Sequence, residues 1–386
     1  MILPDYDNSV LSTVASILKR YGGESRYPSI PELDALMRPA PKHVVMLLLD
    51  GMGQLALDAH LPEDSFLRRN LLRTVTAVFP STTAASTTAY YAAQSPNEHG
   101  WLGWSLYFKE CAQQLDVFQG LNSYTKEKYA PLSPAYTYMP FETIFERIHR
   151  HSGGSVHTVS VFPFPSECDR GADVRARYDN HSLTGLLNAL EAQLRIHKGD
   201  SFLFGYWTEP DHEEHMSGPY SEQSRDVFRR MNDAIEAFAR RLEGTDTVLI
   251  LSADHGLRGP QTAVYLHEIP EIMDCLIMPP SIEARACSFF VKPHRKAQFE
   301  REFRARFGDS FVLYTREQVL NMQLFGRGQT HPKVDDFLGD YLACAIGDIY
   351  IDYLILNQRR DAPRFVGAHA GLTEEEMLVP VVALRV

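Results

Sequence analysis

HVVMLLLDGMG, residues 43–53, is an unbroken apolar run that stops at an acid and two glycines. A strand buried on both faces of a parallel sheet reads this way, because helices cover it on either side and no position has to be polar. Asp50 then stands at the carboxyl end of the strand, and in open α/β sheets ligands bind beyond those ends. An Asp-Gly pair is equally a plain turn. Two more runs repeat the pattern: FLFGYW (202–207) leads into Glu209-Pro210-Asp211, and TVLILSADHG (247–256) delivers Asp254 and His255. Thr74 to Phe79 and VHTVSVF (156–162) read as further strands. Between them lie helical patterns at 10–22, at 182–197 and at 221–242, the last with Phe228, Met231, Ala234, Ile235 and Phe238 on one face. This alternation predicts an α/β fold with a mostly parallel central sheet and helices on both faces.

After Gly259 the texture changes. Within 287–326, CSFFVKP, KAQFEREFRARFG, SFVLYT and REQVLNMQLFG read as strand, helix, strand and helix, which predicts a compact α+β insertion. The expected division is therefore 1–258 together with 331–386 as the α/β core, and 259–330 as the inserted unit. Apolar runs resume over 339–356.

At 386 residues, 44% hydrophobic and 23% charged, the chain has enough apolar material for a large core. Its net charge of −11 argues against a nucleic-acid polymer or an anionic membrane as partner, since both need a broad positive face. A small anionic substrate is still allowed where bound cations reverse the local field. The longest apolar run, Val44 to Leu49, is too short to span a bilayer, and the N-terminus has no basic segment followed by a long apolar one. Five scattered cysteines without a C-x-x-C pair predict free thiols in a reducing compartment, hence a cytoplasmic location.

PDHEEHMSGP, residues 210–219, places Asp211 and His215 four apart, on one face of a single helical turn. That is metal-ligand spacing, although the same pair is common on wet helices. His212, Glu213 and Glu214 are expected on the solvent side. PSTTAASTTAYYAAQ, from Pro80, opens as a helix of small residues. Ser81, Thr82 and Thr83 are N-cap types, and a hydroxyl there beside a metal can instead act as a nucleophile. His99 reads as structural ahead of phosphate-binding, and His369 sits in a glycine-bearing loop. The candidates divide into Asp50, Asp254 and His255 with the Thr83 oxygen, and Asp211, His215 and His369. Two cations about 4 Å apart in such sites activate an attacking oxygen and clamp a phosphoryl group in line.

The order of LLLDGMG, FPSTTAAS, EPDHEEHMSGP, ADHGL and VGAHAGL resembles the alkaline phosphatase superfamily, most closely its type I phosphodiesterase and nucleotide pyrophosphatase branch. The resemblance implies an alkaline-phosphatase-like core, a cap made by the insertion, and two divalent metal ions, zinc first with manganese or iron as alternatives. It implies Thr83 as nucleophile, with Ser81 and Thr82 as near neighbours, and hydrolysis of a small phosphodiester or pyrophosphate through a phosphothreonine. Two features depart from the family pattern. Ala84-Ala85-Ser86 follow Thr83, and Trp104 stands where a phosphate-holding asparagine is usual. A phosphomonoesterase, a phosphonate hydrolase of the same superfamily and a non-catalytic metal-binding protein are the competing expectations.

Overall fold

The structure is a computed structural model that describes residues 1–129, 133–164, 166–179, 182–353 and 364–386. Its centre is a seven-stranded sheet in the spatial order Leu71–Thr76, Leu378–Arg385, Thr247–Ser252, His43–Leu49, Ser201–Trp207, His157–Phe162 and Val174–Arg177. His43–Leu49 pairs in parallel with both Ser201–Trp207 and Thr247–Ser252, and all three strands are buried at every position. Burial of alternate side chains in both directions requires cover on both faces, so the apolar runs of the sequence are what a helix-sandwiched strand demands. Leu378–Arg385 alone runs against its neighbours.

Pairing sets the ends. Leu378 lies opposite Thr76, so the edge strand runs from Leu71 to Thr76, earlier than the expected Thr74 to Phe79. Residues beyond Thr76 leave the ladder and lead to a helix, Thr83–Ala92, that starts later than Pro80 because Thr82, in extended conformation, is its N-cap. Residues 84–92 of this helix are all buried, which its small side chains permit. The amphipathic helices form as expected, Val10–Arg20, Leu183–Ile196 and Glu222–Arg241; the last buries Phe228, Met231, Ile235 and Phe238 against the core.

A second seven-stranded sheet is antiparallel, in the order Phe311–Thr315, Tyr341–Ala345, Ala286–Phe289, Ser281–Ile282, Ser105–Phe108, Gln113–Asp116 and Leu121–Asn122. The helix Lys296–Phe307 covers part of it with Phe299, Phe303 and Phe307, beside Phe289 and Phe311. The expected 259–330 unit thus supplies only part of this sheet. Strands from 105–122 and 341–345 complete it, because backbone hydrogen bonds at its edges need partners that the insertion does not contain. Residues 354–356 of the C-terminal apolar run lie outside the described residues.

Candidate metal centre and nucleophile

All the singled-out side chains arise at one end of the central sheet. Asp50 follows His43–Leu49, Asp211 follows Ser201–Trp207 and Asp254 follows Thr247–Ser252. His369 precedes the antiparallel strand, whose beginning lies at the same end because Leu378 is level with Thr76. Gly51 makes the junction possible. Its φ of +76° suits glycine, and a Cβ there would lie 2.7 Å from Asp211 Cα, so any side chain would force the two ligand loops apart.

The structure brings Asp50, Asp254 and His255 together as one group, and Asp211, His255 and His369 as another. His255 Nε2 stands 3.4 Å from Asp50 Oδ1 and 3.6 Å from Asp254 Oδ2. His215 Nε2 is 3.3 Å and His369 Nε2 3.7 Å from Asp211 Oδ1, and the His255 and His369 rings stack at 3.8 Å. Thr83 Oγ1 is 3.2 Å from His255 Nε2 and 3.5 Å from Asp50 Oδ1. Its neighbours are committed elsewhere: Ser81 Oγ donates to the Gly371 carbonyl at 2.9 Å and Thr82 Oγ1 to Glu283 Oε1 at 2.6 Å.

The imidazole tautomers follow from these contacts. Nδ1 of His215 is 2.8 Å from the Gly367 carbonyl, that of His369 3.1 Å from the Ser81 carbonyl, and that of His255 3.2 Å from the Gly256 carbonyl. A carbonyl only accepts, so Nδ1–H donates in all three, and each ring turns its Nε2 toward a carboxylate. Asp211 Oδ1 is buried and has no hydrogen-bond partner of good geometry among the described residues. Three carboxylates share this pocket, and their ion-pair partners among the described residues are histidines alone. Burial, reinforced by Asp254 and Asp211, holds the Asp50 carboxyl well above the usual range. Burial also pushes Asp211 upward, but His215 and His369 outweigh it and its net shift is down. Burial and the adjacent His255 hold His369 well below the ordinary imidazole range. Mixed nitrogen and oxygen donors gathered in this way fit divalent cations.

Supporting contacts orient the carboxylates. Asp254 accepts from Gly51 N, His255 N and the Thr87 hydroxyl, and Asp50 accepts from the Tyr206 hydroxyl. Thr87 was legible in principle, since it lies one helical turn after Thr83. Tyr206 was not, because its strand is buried throughout and alternation gives no face.

A family model described as type I phosphodiesterase / nucleotide pyrophosphatase matches residues 44–338. The chain belongs to that family. This phosphodiesterase-family chain is thereby a phosphoric ester hydrolase within the alkaline phosphatase superfamily. Among solved structures, murine ectonucleotide pyrophosphatase/phosphodiesterase 5 is 17% identical with a TM-score of 0.60, covering 88% of this chain and 87% of that one. The same murine protein, as an inactive threonine-to-alanine variant in complex with AMP, matches equally. Phosphonoacetate hydrolase from Sinorhizobium meliloti, in complex with phosphonoacetate, is 15% identical with a TM-score of 0.64, covering 89% and 90%. No curated protein matches the chain in sequence. These likenesses show the alkaline-phosphatase-like fold.

Other expectations resolve around this cluster. Glu214 is buried rather than on the solvent side, and neither of its carboxyl oxygens has a partner among the described residues. Gly367 packs closely on the backbone of its helix, Asp211–Ser217, against the Glu214 carbonyl, and burial raises the Glu214 carboxyl well above the usual range. His212 is exposed and Glu213 half-buried. His99 is buried and its Nδ1 accepts the Trp101 amide at 3.0 Å, a structural bond; burial pushes this ring down to about 3, so it stays neutral. Trp104 gives its backbone amide to Glu283 Oε1 at 2.6 Å. Glu283, from the second sheet, is the site neighbour that sequence reasoning did not find. No helix of the described residues is long and apolar enough to cross a membrane.

Proposed function

We propose that this chain hydrolyses small phosphodiesters or pyrophosphates in two steps through a phosphothreonine at Thr83. Asp50, Asp254, His255 and the Thr83 oxygen would hold one divalent cation, and Asp211, His215 and His369 a second. The observation that carries the reading is the placement of Thr83: its hydroxyl, unlike those of Ser81 and Thr82, faces the ligand cluster at 3.2 Å and 3.5 Å. When bound, two divalent cations, zinc first with manganese or iron also suited to the donors, lower the hydroxyl pKa and offset charge on the phosphoryl oxygens. Thr83 Oγ1 attacks phosphorus as its proton passes to solvent, the bond to the far ester oxygen breaks, and that oxygen leaves with a proton from solvent. Water then attacks the phosphothreonine phosphorus and restores the hydroxyl. The first-turn amides of Thr83–Ala92 are available to the equatorial oxygens, because intrahelical bonding begins only with Ser86 N donating to Thr82 O.

The AMP and phosphonoacetate complexes of the structural relatives support a small phosphorylated ligand, and the net charge supports neither a nucleic-acid polymer nor a membrane as partner. The 259–330 segment acts as a cap over the site in this reading. All five cysteines are free and four are buried, which suits a reducing cytoplasm. The likeness to phosphonoacetate hydrolase favours a second reading, cleavage of a carbon–phosphorus bond. Zinc-loaded protein assayed on bis-p-nitrophenyl phosphate, p-nitrophenyl phosphate and phosphonoacetate separates them. The diester is expected to give the highest kcat/KM; phosphonoacetate in first place would establish the second reading, and turnover of none would leave a metal-binding role.

A further inference from the structure

Glu283 follows the short strand Ser281–Ile282 of the second sheet, and its Oε1 is fixed by two donors, the Thr82 hydroxyl and the Trp104 amide, each at 2.6 Å. Thr82 caps the helix on which Thr83 stands, so the carboxylate is anchored one residue from the nucleophile. Its approach is built into the backbone. A Cβ on Gly103 would lie 2.7 Å from the Ile282 carbonyl, so only glycine lets the 101–104 loop close on this strand. Glu283 Oε2 has no hydrogen-bond partner among the described residues. Its charge is felt at His215, where it adds a small contribution in favour of the protonated ring. Among the described residues, none of Asp50, Asp211, Asp254 and Glu283 has a lysine or arginine as ion-pair partner.

We infer that Glu283 is a specificity-determining residue that rejects dianionic phosphomonoesters in favour of monoanionic diesters. The inference rests on the reading of this site as a phosphoryl-transfer centre. A monoester brings one more negative charge to the phosphoryl group than a diester does, and it meets an anchored carboxylate with no cationic side chain to answer it. At an effective dielectric of about 20, one extra like charge within about 10 Å of a carboxylate is disfavoured by roughly tenfold or more. Burial pushes the Glu283 carboxyl up to about 7, so the discrimination is read at pH 8.5, where the group is ionised.

Glu283→Gln keeps the Oε1 acceptor for Thr82 and Trp104 and removes only the charge. Zinc-loaded wild type and variant are compared on p-nitrophenyl phosphate and methyl p-nitrophenyl phosphate, which share a leaving group and differ by one charge. The ratio of monoester to diester kcat/KM is expected to rise at least tenfold in the variant, through the monoester. A ratio that moves less than threefold, or an equal loss on both esters, overturns the inference. Binding of inorganic phosphate is measured by calorimetry in a Thr83→Ala background, which needs no turnover. There Glu283→Gln is expected to tighten phosphate at least tenfold at pH 8.5, and unchanged affinity overturns the inference. If wild type hydrolyses neither ester, the functional reading fails on its own and the phosphate titration still decides the role of Glu283. Glu283→Ala carries both measurements should the glutamine variant not fold.

Discussion

Thr83→Ala is expected to lower diester kcat/KM by at least ~10³-fold while the purified protein keeps about two cations per chain. The size of the effect follows from what is lost. In the proposed mechanism no covalent first step is open without the hydroxyl, and what is left is charge stabilisation by the cluster and by the helix amides. Retention of metal follows from the rest of the site, because the carboxylates and imidazoles are placed by the ends of the central strands and by the Gly367, Ser81 and Gly256 carbonyls rather than by Thr83. Thr83→Ser keeps an attacking oxygen and is expected to fall far less. Thr82→Ala removes a hydrogen-bond partner of Glu283, so its loss is expected in thermal stability, about 1 kcal/mol, ahead of turnover. Steady-state kinetics with metal analysis by mass spectrometry checks the series. A Thr83→Ala protein retaining a tenth or more of wild-type activity would move the nucleophile elsewhere.

The second large effect has opposite signs with and without metal. In the metal-free protein Asp50 is a buried carboxylate whose ionisation is resisted first by burial and then by Asp254 and Asp211. A carboxyl whose folded pKa is raised takes up protons that the unfolded chain releases. Its ionisation therefore costs stability as pH rises above the unfolded value near 4, and the whole cost is present above the folded pKa. Asp50→Asn removes that cost and keeps an acceptor for the Tyr206 hydroxyl, so in excess chelator at pH 8 the variant is expected to melt at a higher temperature than wild type. With metal present the order reverses, because the variant loses a ligand and with it the stabilisation that binding confers. Its bound metal is expected to drop from about two equivalents to about one, and diester turnover by at least ~10³-fold. Thermal melts in chelator and in saturating zinc read both signs, and a variant less stable than wild type in both would make Asp50 a structural residue.

How much of this was legible varies with the range of the interactions. The strands carrying Asp50, Asp211 and Asp254 declare themselves because burial on both faces leaves no polar position in the six residues 44–49, a purely local constraint. Asp211 and His215 could be paired because a helical turn fixes their spacing. Which hydroxyl faces the cluster was not local. Ser81 is drawn away by Gly371 and Thr82 by Glu283, both distant in sequence. Glu214 looked like one more acid on a wet turn and is buried; Gly367, which packs on its backbone, is distant in sequence. The change of texture after Gly259 marked part of a second sheet, but not that its edge would be finished by 105–122, since nothing in those short segments encodes their partner.

Anomalous diffraction at the zinc edge from crystals of the zinc-loaded protein tests the central claim most directly, that distant loops converge on two cations beside one threonine oxygen. The account predicts two peaks, one bounded by Asp50, Asp254, His255 and Thr83 Oγ1 and the other by Asp211, His215 and His369. A fully loaded crystal with no peak inside this cluster, or with its metal bound elsewhere on the chain, would contradict it.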